Sequence, residues 1–150
     1  MNDFEPEPAP VPQIRTAGVA LMASGGIYFV AEFIAAAAWT DPPYSYTHHF
    51  ISNLGVHGPS TAFGQFMYSP LAWVMNTGFF LFGLAALAGV LMLRGLPGRR
   101  RRALIATAVL LAAGSILVAL FPGSGEAPGH GADYHGLGAF TAWPRIEYWS

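Results

Sequence analysis

"MYSPLAWVMNTGFFLFGLAALAGVLML", residues 67–93, contains no charged side chain. A helix needs about 20 consecutive apolar residues to cross the hydrocarbon of a bilayer, and this run is longer than that. It shows no alternation of apolar and polar positions and is too long for a strand. A backbone in hydrocarbon must satisfy its own hydrogen bonds, which a helix does within one segment. The run is therefore read as a transmembrane helix.

Two more runs have the same character. "TAGVALMASGGIYFVAEFIAAAAW" covers residues 16–39, and "ALIATAVLLAAGSILVALF" covers 103–121. The expected fold class is all-α: an integral membrane bundle with helices at about 16–39, 67–93 and 103–121. A partial fourth segment begins after His135 in "GLGAFTAWPRIEYWS", and it turns polar too soon to cross. The expected transmembrane domain spans 16–140, with an extended Pro/acidic tail at 1–15 and an atypical C-terminal tail at 141–150.

Composition agrees. Of the 150 residues, 53% are hydrophobic and only 10% charged, against about 25% charged in a soluble domain. No cysteine is present, which removes disulfides, thiolate metal sites and cysteine nucleophiles. All seven basic residues are arginine, and the net charge of −1 predicts no nucleic-acid partner. No serine nucleophile elbow, phosphate loop or dinucleotide fingerprint occurs.

Arginine sets the expected orientation. "RGLPGRRRR", residues 94–102, holds five of the seven. The positive-inside rule puts this connection in the cytoplasm, and Arg15 agrees. The expectation is a multi-pass protein of the cell membrane with a cytoplasmic N-terminus. A cleaved signal peptide is disfavoured by the acidic N-terminal region and the length of the first run. Loops 40–66 and 122–135 then face outward and hold all five histidines. The arginine cluster also invites contact with anionic head groups of membrane lipids.

Polar residues within the runs are few. Glu32 lies seven residues before Trp39, Asn76 nine after Met67, and Ser115 six before Phe121. These spacings place all three about 9–14 Å below the outer surface. A charged glutamate at that depth is costly, so it should face the bundle and find a partner. Two readings stand: an outward-opening polar pocket with Glu32 as its acid or base, or interhelical glue with Glu32 bonded to Asn76. "YSYTHHFISNLGVHG", residues 44–58, is expected to cap the pocket, and Asn53 joins the pocket from this cap.

The histidines do not form a local metal motif. His48 and His49 are adjacent and diverge on a helix, while His130 and His135 flank Asp133 in a glycine-rich stretch. Zinc takes three or four ligands, so a site would need both loops: His48 or His57 with His130 or His135 and Asp133. The expectation is no cofactor, with zinc as the alternative. Haem would need facing histidines inside the helices, and the runs have none.

The segments resemble the domain of unknown function 998 family of prokaryotic multi-pass membrane proteins. "FISNLG" at 50–55 is similar to its "YISDLG" loop motif. Ser69, Pro70 and Asn76 resemble its Ser-Pro pair and following asparagine. Phe121 and Pro122, then His135 in "HGLGAF", resemble the end of its third helix and the start of its fourth. The resemblance implies the N-terminal half of an approximately six-helix protein. Asn53 stands where the family motif has aspartate, so no carboxylate base is implied there.

These readings lead to an uncharacterised membrane protein that binds a lipid or a partner protein through its outer face, alone or as a homo-oligomer. One alternative is a lipid-modifying hydrolase using Glu32, Asp133 and His135. Another is half of a proton-coupled transporter with Glu32 as the protonating group.

Overall fold

A computed structural model describes residues 11–62 and 65–122. Three long helices make up most of this part: α1, Val11–Ala38; α2, Ala72–Met92; and α3, Gly98–Leu120. All three are long and apolar enough to cross a membrane. A 3-10 turn at Ile51–Gly55 and a two-stranded hairpin, β1 (Ser60–Ala62) with β2 (Gln65–Met67), lie in the α1–α2 connection. The hairpin is antiparallel, with Ser60 opposite Met67. The protein is an all-α membrane bundle with this small sheet added.

α2 is the central helix, and its glycines explain why. An added Cβ at Gly78 would overlap that of Ala31 in α1, and one at Gly89 would meet Leu21 of α1 at 2.8 Å. At Gly83 it would meet the α3 backbone at Ala112, 3.1 Å away. At 3.6 residues per turn, positions 78 and 89 share a face and 83 is turned about 140° from it. One face of α2 therefore receives α1 and another receives α3. Attraction between helices in lipid comes from packing and polar contacts rather than from expelled water, so small residues that permit close approach matter most. Large apolar side chains such as Val19, Met22, Phe33, Trp73 and Leu110 point outward, where lipid tails solvate them.

The helix ends differ from those read off hydropathy. α1 begins at Val11, five residues before Thr16; Pro12 falls in its first turn, where a missing N–H breaks no bond. α2 begins at Ala72 rather than Met67. The residue before a proline is pushed out of the α conformation, so Ser69 before Pro70 cannot continue a helix. The apolar residues ahead of it serve another purpose: Met67 ends β2 and is buried in the core cluster. α3 begins at Gly98, so Arg99–Arg102 are its first turns rather than a loop. Arginine is a good helix former, and Arg102 Nε donates to Gly98 O at 3.3 Å. The connection between α2 and α3 is only Leu93–Pro97, with Gly95 at φ 83° making the turn.

The two ends of the bundle are chemically opposite. The arginine end carries Arg15, Arg94 and Arg99–Arg102. The loop end carries Glu32, Asp41 and the histidines His48, His49 and His57. His130, Asp133, His135, the expected fourth segment and both expected tails apart from residues 11–15 lie outside the described residues.

Candidate functional site

The loop end is built around the 3-10 turn. α1 stops at Ala38, and "TDPPY" turns the chain back so that Tyr44 N donates to Trp39 O at 3.1 Å. Leu54 and Val56 are buried beside Trp39, Met67, Met75 and Ala35 in one cluster. Two bonds fasten the turn to the start of α2. Asn76 Nδ2 donates to Gly55 O at 3.0 Å, and Ser69 N donates to Val56 O at 3.1 Å. A side chain at position 55 would collide with the Asn76 amide, so "LG" in the turn is a fit of backbone to Asn76.

Aromatic rings close the site from the side. The His49 ring lies against both Trp39 and Tyr44, with centroids 5.0 and 5.4 Å away, and those two rings also meet at 5.5 Å. Tyr46 meets Tyr44 edge-on at 5.0 Å. His49 Nδ1 accepts from Ser45 N at 3.0 Å, so one ring nitrogen already serves the loop backbone. This cluster was missed in the sequence. Its signal was the density of rings between Trp39 and Phe50, but no helical or strand period connects them.

Glu32 is buried, at 7% exposure. The neighbouring Ala31 packs on Gly78, and α1 runs antiparallel to α2, since Leu21 meets Gly89. Glu32 and Asn76 therefore lie within about one or two residues' rise of each other along the bundle axis. They are not joined as glue, because Asn76 Oδ1 is buried with no hydrogen-bond partner among the described residues. Ser115 lies elsewhere: its side chain packs opposite Gly83, about 10 Å further along α2 than Asn76. Counting from helix ends misplaced it, since α3 ends short of the level at which α2 begins. Asn53 is buried in the 3-10 turn. His48 and His57 are exposed on the loop surface. Among the described residues no three His, Cys, Asp or Glu side chains gather closely enough to hold a metal ion.

Four polar atoms at this end are buried without a partner among the described residues: Ser60 Oγ in the hairpin, and Trp39 Nε1, Ser69 Oγ and Asn76 Oδ1. Trp39, Ser69 and Asn76 border the 3-10 turn or pack in its cluster. A buried polar group left unpaired costs about 1–3 kcal/mol. Three in one place is an arrangement that a ligand with hydrogen-bonding groups would relieve.

Tyr44 reports on the same environment. Burial, then the negative charge of Glu32, then Tyr46 push its phenol up to about 12 from 10.0. Tyr46 shifts upward from burial and from Glu32 as well. The folded state thus holds the Tyr44 proton more tightly than the unfolded state does. Stability is unaffected below pH 10 and should fall between pH 10 and about 12, where the unfolded chain ionises first. The Tyr44→Phe variant should lose the share of that alkaline decline that Tyr44 contributes. Glu32→Gln should lower the Tyr44 midpoint, read from phenolate absorbance. A midpoint indifferent to Glu32 would show that the carboxylate carries no charge near Tyr44.

The fold defines a helical membrane protein whose loop end holds several buried polar groups. Residues 16–143 match the family described as "Protein of unknown function (DUF998)", and the chain belongs to that family. No curated protein and no solved structure matches the chain.

Proposed function

We propose that the protein binds the polar head of a lipid at its loop end, and that this end is extracytoplasmic. The observation that supports this most is the trio of unpaired buried atoms around the 3-10 turn, Trp39 Nε1, Ser69 Oγ and Asn76 Oδ1. An indole N–H, a hydroxyl and an amide oxygen supply both donors and acceptors, as a head group with phosphate and hydroxyl or amine groups requires. Glu32, buried at the same level, favours a head group that brings a proton or a positive charge. The rings of Trp39, Tyr44 and Tyr46 suit the interfacial layer where head groups lie. The arginines at the other end support the orientation.

The hydrolase reading needs His135 and Asp133, which lie outside the described residues. The transporter reading needs proton flux that depends on Glu32. Lipid binding needs neither.

The test separates binding from folding. Ser69→Ala removes one unpaired atom and keeps nearly the same shape, and Trp39→Phe removes another together with part of the buried ring. Removing an unpaired buried polar atom should leave stability unchanged or raise it, while the loss of a bond to ligand should weaken binding about 2–10-fold. Lipid that co-purifies with the full chain, measured by native mass spectrometry, should fall in both variants, with no drop in melting temperature for Ser69→Ala. If both variants keep the wild-type lipid complement, these atoms do not serve a ligand and the reading fails.

A further inference from the structure

The opposite end of the bundle carries a second, independent feature. An open cleft of about 280 Å³ lies between the first turns of α1 and the last turn of α2, lined by Gln13, Thr16, Met92 and Arg94. Ligand pockets begin at about 300 Å³, so this volume suits a head group rather than a whole lipid. Gln13 brings unused bonding capacity, since its Oε1 is buried with no partner among the described residues. Arg94 is exposed and carries five donors in the planar fork that fits phosphate oxygens.

The surroundings fit the same ligand. Arg15 and Arg99–Arg102 lie at this end, and both acids among the described residues, Glu32 and Asp41, lie at the other. Among the described residues, therefore, no acid lies beside these arginines. Ile14, Leu91 and Met92 at the same end are 53%, 46% and 43% exposed. Met92 lines the cleft, and Ile14 and Leu91 are neighbours in sequence of its lining residues Gln13 and Met92, so apolar surface lies at this end for acyl chains. A soluble anion would have no use for such a surface.

We infer that this cleft is a binding site for an anionic phospholipid. Arg94 pairs with its phosphate, Gln13 bonds a polar atom of its head group, and Met92 contacts its glycerol and acyl portion. This site is separate from the one at the loop end and does not depend on it.

The experiment uses the full chain in nanodiscs that contain phosphatidylglycerol and phosphatidylcholine with identical acyl chains. Lipid retained after mild delipidation is counted by native mass spectrometry. The expected result is a preference for phosphatidylglycerol of about fivefold or more, from one arginine contact near an anionic group. Arg94→Ala should abolish the preference, Arg94→Lys should restore part of it, and Arg100→Ala, an exposed arginine outside the cleft, should leave it nearly intact. Equal losses from Arg94→Ala and Arg100→Ala would overturn the site in favour of a diffuse basic surface. Equal retention of the two lipids would also overturn it. Displacement of the lipid by free glycerol phosphate at comparable concentration would overturn the lipid assignment in favour of a soluble phosphate.

Discussion

Replacing Trp39 with alanine should cost about 3–5 kcal/mol, the range for emptying a buried tryptophan site. The residue is 2% exposed. Its ring is 5.0 Å from His49 and 5.5 Å from Tyr44, and it shares a cluster with Leu54, Val56 and Met75. The end of α1, the 3-10 turn and the start of α2 all meet on this one side chain. With it gone, the α1–α2 connection loses the surface that orders it, and the turn can no longer hold Gly55 O against Asn76. The apparent melting temperature of the detergent-purified protein should drop by about 10 °C, given a few degrees per kcal/mol for a chain of this size. Protease should then cut between Trp39 and Ala72 more readily than in the wild type. Trp39→Phe, which keeps most of the ring volume, should shift the temperature far less. A melting temperature for Trp39→Ala within about 2 °C of wild type would mean that the ring is not what holds the loop.

The second large effect should come from Gly78→Leu. Even a methyl group at position 78 overlaps the Ala31 Cβ, and a leucine would force α1 and α2 apart over several turns. Overpacking a tight site costs about 1–3 kcal/mol or more, and in lipid the lost close contact is itself the main source of adhesion. Unfolding of the reconstituted protein in a detergent titration should begin at a clearly lower denaturant fraction. Gly25→Leu is the control, because nothing lies within 4 Å of an added Cβ there. The swap Gly78→Ala with Ala31→Gly moves the methyl across the interface and should recover most of what Gly78→Ala alone loses. If Gly78→Leu and Gly25→Leu behave alike, the helices do not cross at Gly78.

Both predictions depend on contacts with no signature in the sequence. Gly18, Gly25 and Gly26 look as suited to helix crossing as Gly78, Gly83 and Gly89. Only the second set is used among the described residues, because α2, not α1, is central. Likewise Glu32 and Asn76 could be placed at one level by counting along the runs, but Ser115 could not. Its level depends on how far α3 slides along α2, and that offset is fixed by Ala112 and Ser115 seating on Gly83.

The sequence by itself determined that three stretches form membrane helices, because some 20 apolar residues have no other way to satisfy their backbone in hydrocarbon. It also determined the polarity of the bundle, since the arginines and the histidines lie at opposite ends of those stretches, as well as the resemblance to the family. Tertiary structure decided where the helices begin, since Met67 enters a strand and Arg99–Arg102 join a helix. It also decided which polar atoms are left without partners. Hydropathy is summed along the chain and needs no neighbours. A hydrogen bond such as Asn76 to Gly55, or a ring stack such as Trp39 on His49, depends on residues brought together from different segments, and only the folded chain specifies them.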